Sequence, residues 1–166
     1  MKLTVRRVQP RDIGNLHNMV RDFNQEKPCS HPTMDDEEVT NQMLYILGNL
    51  QHKELIFLIA YDGKRPAGFL FAFVQDYPYG RPRRVGVVQE LYVVPEKRSK
   101  QVAMALMSRA LHEGLQLHAE RFEACGIYGD TDKRWARLGF KPYLTYSWAD
   151  LATAERILSL SKRVNR

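Results

Sequence analysis

Glu90-Leu91-Tyr92-Val93-Val94-Pro95-Glu96-Lys97-Arg98-Ser99-Lys100-Gln101-Val102-Ala103-Met104-Ala105-Leu106-Met107 is the stretch whose reading decides the fold. It opens as a strand. Val85 to Val94 is apolar and β-branched, broken only by Gly86, Gln89, Glu90 and Tyr92. Pro95 ends the ladder because it has no N–H to donate. A basic turn follows, Lys97-Arg98-Ser99-Lys100. Val102, Ala103, Leu106, Met107, Ala110, Leu111 and Gly114 then recur at three- and four-residue spacing, which predicts a helix. A strand, a basic turn and a long helix aim the free N–H groups of the helix start at one point, and that point attracts phosphate.

Working outward, Lys2 to Val8 alternates and predicts a first strand with Leu3 and Val5 on one side. Pro10 and Asp12 start a helix with Ile13, Leu16, Met19, Val20 and Phe23 on one face. Asn24 to Thr33 carries two prolines and several turn formers, so it predicts a loop. Thr33 or Asp35 caps a second helix, with Glu37 and Glu38 in its first turn. That helix is expected to bury a broad face of Val39, Met43, Leu44, Ile46, Leu47 and Leu50. Leu55 to Tyr61 and Ala67 to Val74 predict a hairpin closed at Asp62-Gly63-Lys64. Beyond the central helix, Arg121 to Gly126 reads as a short strand and Asp130 to Leu138 as a short helix stopped by Gly139. Phe140 to Trp148 supplies one or two closing strands, and Leu151 to Val164 a terminal helix. This pattern alone predicts a mixed α/β fold in three layers.

The central residues resemble a known family. V-x-P-E-x-R-G-x-G-x-G/A, leading from a strand into a helix, is the coenzyme A pyrophosphate loop of GNAT N-acetyltransferases. Val93-Val94-Pro95-Glu96-Lys97-Arg98-Ser99-Lys100-Gln101-Val102-Ala103 is similar to it in register, with Ser99, Gln101 and Ala103 at the three glycine positions. Gln101 is the real departure, since glycine there lets the backbone approach the phosphates closely. WARLGF (residues 135–140) resembles the family's Y-x-x-x-GF ending, with Trp135 where tyrosine is usual. The resemblance implies the GNAT acyl-CoA N-acyltransferase fold, α/β/α around a mixed sheet with a splayed central strand. It implies one such domain over residues 1–166. The chain's general look is also similar to members encoded by bacteriophages or prophages, which implies a bacterial or bacterial-host cytoplasm.

The resemblance further implies acetyl-CoA as cofactor and an amine as acceptor. Leu91, Tyr92 and Val93 would offer main-chain groups to the pantetheine arm, whose amides suit an open strand edge. Arg98, Ser99, Lys100, Gln101, Val102, Ala103 and Met104 would cradle the pyrophosphate, and Trp135 would pack over the pantetheine or fill core. An amine must lose its proton before it attacks; a lysine amine has a pKa of about 10.4. Glu90, directly before Leu91, is the candidate base, and its alternative role is to pair a nearby arginine. Tryptophan is not a usable acid, so protonation of the leaving thiolate is unassigned, with Tyr128 or Tyr143 as substitutes.

Composition sets the bounds. The chain has 166 residues, 44% hydrophobic and 27% charged, an ordinary globular composition for one domain. MKLTVRRVQPRD has no apolar run of the kind a signal peptide needs, and no run approaches the roughly 20 apolar residues that span a bilayer. A cytoplasmic protein is therefore expected. Cys29 and Cys125 lie far apart and suggest neither a disulfide framework nor a metal site. Cys29 and His31 read as loop residues that could line an acceptor pocket. The net charge of +6 fits a polyanionic cofactor as well as nucleic acid. No RNP, zinc-finger or helix-turn-helix signature supports nucleic acid as a partner. Tyr77, Tyr79, Tyr143, Tyr146 and Trp148 are open to an acceptor wall, a homodimer face or plain packing. The rival to an acetyltransferase is a GNAT-fold module that binds acyl-CoA or a protein partner with little catalysis, motivated by Gln101 and Trp135.

Overall fold

The structure is a computed structural model that describes residues 3–26, 34–77, 82–98, 100–124, 136 and 140. Among the described residues, five strands form one sheet in the order of the chain: β1 (Leu3–Arg7), β2 (Leu55–Asp62), β3 (Arg65–Asp76), β4 (Arg84–Val93) and β5 (Arg121–Ala124). The first three pairings are antiparallel, while β4 and β5 run parallel. A parallel neighbour needs a crossover, and the 17-residue helix α3 (Lys100–Gln116) supplies it. Helix α1 (Ile13–Glu26) and helix α2 (Asp36–Gly48) cover the other face.

Two cores flank the sheet, one on each face. Val102, Leu106, Met107 and Ala110 of α3 pack on Ile56, Leu58, Leu70 and Val88. On the other side, Leu16, Met19 and Val20 of α1 and Val39, Met43 and Ile46 of α2 pack on a cluster of aromatic rings. Phe23, Phe69, Phe71 and Tyr92 lie ring to ring there at 4.7–5.9 Å between centroids. Phe69 is fully buried among them, and truncating such a ring costs about 3–5 kcal/mol.

Local chemistry sets the element ends. Asp35 caps α2: its side chain accepts from the Glu38 N–H, and Glu38 accepts from the Asp35 N–H, both at 2.8 Å. Gly63 takes φ 63° in the hairpin turn, a left-handed conformation that costs glycine nothing. At Gly86 and Gly114 an added Cβ would strike the Phe122 ring, so these two glycines let Phe122 seat β5 against β4 and α3.

Two sequence expectations need correction. Helix α1 runs on to Glu26, two residues past the expected start of the loop at Asn24, because turn-forming Asn24 tolerates a final helical turn. The apolar face of α2 is narrower than expected: Leu44 is 61% and Leu47 41% exposed. Their spacing matches the buried face, yet nothing among the described residues covers that side of α2. The elements expected beyond Ala124 lie outside the described residues, apart from Ala136 and Phe140. Phe140 packs against the α3-side core.

Candidate active site

The site is built from β4, the turn after it and the start of α3. Strand β4 carries a bulge. Phe71 pairs with Glu90, but Ala72 pairs with Val88, so Gln89 is an extra residue. The bulge inverts the alternation of faces. Val88, Leu91 and Val93 pack on the α3 side, whereas Tyr92 joins the α1/α2 side. Glu90 is thereby turned toward α2, where Gln42 Nε2 donates to its Oε1 at 3.5 Å. The carboxylate is half-buried. Gln42 Oε1 is buried without a hydrogen-bond partner among the described residues.

Among the described residues, one edge of the same strand has no strand partner beyond Val88. Among the described residues β5 pairs with β4 only from Val85 to Val88. Glu90 to Val93 keep their β3 partners on the other edge. Half of the backbone donors and acceptors at Leu91, Tyr92 and Val93 therefore face the β5 side, where an extended amide-bearing chain can pair with them. Leu91 and Val93 are half-buried and Tyr92 is buried.

After Val93 the chain turns sharply. Val94 N–H still bonds to the Ala67 carbonyl at 3.1 Å, and Pro95–Lys97 forms a single 3-10 turn. Lys97 and Arg98 each have a carboxylate partner. Lys97 Nζ lies 2.7 Å from Asp62 Oδ2 of the hairpin. Arg98 pairs with Glu26, the last residue of α1, and its Nε donates to the Val93 carbonyl at 3.3 Å. Tyr92 donates its hydroxyl to the other Glu26 oxygen at 3.3 Å. Burial, together with the negative charges of Glu26 and Asp22, pushes the Tyr92 hydroxyl up to about 12, so it stays a donor at neutral pH.

Helix α3 begins at Lys100, and its first N–H groups have no partner within the helix. Gln101 is exposed in this first turn, and Met104 is exposed one turn on. Val102 is fully buried, so only its main chain can serve a ligand. Ala103 is half-buried, a small residue where a backbone can be approached. Ser99, the Lys100 side chain and Trp135 lie outside the described residues, as do Cys29, His31, Cys125, Tyr128 and Tyr143. The donor set suits a diphosphate joined to an amide-bearing arm: helix-start N–H groups and an arginine at one end, an open strand edge along the other. Among the described residues no group of three or more His, Cys, Asp or Glu is placed to hold a metal ion. No described helix is long and apolar enough to cross a membrane.

Sequence reasoning placed Glu90, Leu91, Tyr92, Val93 and the turn, and the structure brings these together. It missed Glu26 and Gln42. Glu26 lies 72 residues from Arg98 along the chain, and no local pattern marks such a pairing. Gln42 was hidden within a helix read only for its apolar face.

Comparison with known proteins agrees with this geometry. The model of the acetyltransferase (GNAT) family matches residues 16–140. A predicted acetyltransferase from Clostridium acetobutylicum, solved with acetyl-CoA, superposes with a TM-score of 0.71 at 18% identity, over 91% of this chain and 97% of that one. A GCN5-related N-acetyltransferase from Ralstonia eutropha JMP134 gives 0.70 at 17% identity, over 89% and 98%. An aminoglycoside 6'-N-acetyltransferase from Acinetobacter haemolyticus gives 0.72 at 15% identity, over 89% and 97%. At these identities the likeness establishes the fold. No curated protein matches the chain in sequence.

Proposed function

The chain belongs to the acetyltransferase (GNAT) family, and on that premise we propose that it transfers an acetyl group from acetyl-CoA to the nitrogen of an amine. The observation that carries this reading is the bulged strand β4. Among the described residues one edge has no strand partner at Leu91–Val93, its end leads into the basic turn and the α3 start, and the bulge turns Glu90 toward α2. The presence of acetyl-CoA in the C. acetobutylicum structure supports the choice of donor.

Acetyl-CoA supplies the activated acyl group as a thioester. The main-chain groups of Leu91, Tyr92 and Val93 hold its pantetheine arm in line with β4. Arg98, Gln101, Ala103, Met104 and the Val102 main chain would surround its diphosphate; the family resemblance assigns Ser99 and Lys100 to the same cradle, and Trp135 either to the pantetheine arm or to core filling. An N–H of the open strand donates to the thioester carbonyl oxygen as negative charge develops there. Glu90 takes the proton that the amine must lose, directly or through one water. A C–N bond forms, the C–S bond breaks, and the sulfur leaves as thiolate. A thiol pKa of about 8.5 lets it depart without a strong acid. Loss of an acid is typically worth about 10² to 10⁴ in rate, so Trp135 in the tyrosine position slows this step rather than abolishing it.

The acceptor is an amine reached from the α1/α2 side, and the protein acts in a bacterial or bacterial-host cytoplasm. The exposed Leu44 and Leu47 leave room for a protein partner or a second copy on α2, which size-exclusion chromatography checks. Release of free thiol from acetyl-CoA in the presence of an amine panel tests the reading. Thiol release that depends on amine supports it. Tight CoA binding without turnover for any amine class would favour the catalytically weak acyl-CoA-binding module instead.

A further inference from the structure

Lys97 and Arg98 of the turn each meet a carboxylate, and the two carboxylates differ. Lys97 pairs with Asp62, whose side chain is mostly shielded, beside the turn of the β2–β3 hairpin. Arg98 pairs with Glu26 in the open, with side chains 48% and 37% exposed. The first pair fixes the turn to the hairpin. The second can exchange, because an exposed ion pair contributes little and water readily takes over either partner. Glu26 is nevertheless aimed: the Tyr92 hydroxyl holds its second oxygen, and Tyr92 lies on the cofactor strand. Arg98 is a planar donor suited to two phosphate oxygens at once, and it precedes the α3 start by two residues.

We infer that Glu26 is a positioning residue that competes with the cofactor's diphosphate for Arg98, and so sets how strongly the site prefers a diphosphate-bearing thioester. This rests on the acetyl-CoA reading above. In the structure Glu26 neutralises Arg98, whose Nε donates to the Val93 carbonyl. A diphosphate must displace that carboxylate to reach Arg98. Its net gain is therefore reduced by the ion pair it breaks, while a thioester lacking phosphates leaves the pair intact.

The test compares CoA with S-acetylpantetheine, which carries the same arm without phosphates, by calorimetry on the whole chain. Four proteins are titrated: wild type, Glu26→Gln, Arg98→Gln and the double variant, each checked for native circular dichroism. Glu26→Gln is expected to tighten CoA about fivefold, the upper worth of an exposed ion pair. It should leave S-acetylpantetheine unchanged, and its gain should vanish in the Arg98→Gln background. Weaker CoA binding by Glu26→Gln would make the pair a strut and overturn the inference. An equal change for both ligands, or a gain that survives without Arg98, would overturn it as well. If wild type binds neither ligand, or binds both alike, the diphosphate reading itself fails and the inference fails with it.

Discussion

Two arginine–carboxylate pairs sit at opposite ends of α1, and they are built differently. At its start, Asp12 is 2% exposed and receives both nitrogens of the Arg6 fork, at 2.6 and 2.8 Å. The Gln9 N–H and the Tyr61 hydroxyl add two more hydrogen bonds, each 2.8 Å. At its end, Glu26 meets Arg98 half in solvent. The Asp12 corner ties β1, β2 and α1 together, and the two carboxylate oxygens of Asp12 already accept four hydrogen bonds. The Glu26 corner borders the bulged strand and can exchange partners. A charge pair thus serves stability where its carboxylate is saturated and buried, and serves binding where it is exposed and replaceable.

The largest expected effect lies on the functional side. Glu90→Gln keeps the shape but cannot accept the amine proton. Turnover should fall by about 10² or more with CoA affinity and melting temperature nearly unchanged. Equal losses of turnover, affinity and melting temperature would move Glu90 to the structural class.

Next comes Asp12→Asn, which should cost about 2–3 kcal/mol of folding stability by denaturant titration. Burial alone would raise the Asp12 carboxyl. The hydrogen bonds from Arg6, Gln9 N–H and Tyr61 outweigh it and hold the group below its ordinary value. The sign follows: a native pKa below the unfolded value of about 3.9 stabilises the fold fully above that pH. This contribution is lost as pH falls through the depressed native value. Wild type should show that acid loss as pH falls below about 3.9, and Asp12→Asn should show less of it.

Smaller still is Gln101→Gly. It should tighten CoA by letting the α3 backbone approach the diphosphate, at a stability cost of up to about 1 kcal/mol. Unchanged or weaker affinity would show that the glutamine is itself a ligand. The smallest effect on folding belongs to Glu26→Gln. Its stability change should stay below about 1 kcal/mol. A loss as large as that of Asp12→Asn would erase the contrast between the two corners.

Much of this was legible in the sequence, and the gaps have physical reasons. The Asp35 cap, the Gly63 turn and the apolar stripes are local, so spacing alone reveals them. The passage from β4 into α3 was legible because Pro95 ends the apolar β-branched run and a three- and four-residue apolar period follows it, whereas the phosphate contacts came from the family resemblance. The bulge at Gln89 was not, because β4 is apolar on both faces and offers no alternation whose break would show. Leu44 and Leu47 misled because periodicity tells which residues share a face but not how far the neighbouring core extends. The Asp12 and Glu26 networks join residues far apart in the chain, and only folding brings their charges together.

The central claim is that the bulged strand, the basic turn and the α3 start form an acetyl-CoA site serving an acetyl transfer. Calorimetric titration of the wild-type chain with acetyl-CoA, followed by thiol release on adding amines, tests it most directly. Saturable binding that Arg98→Glu weakens, and thiol release that requires an amine, are expected. No binding at millimolar acetyl-CoA would contradict it.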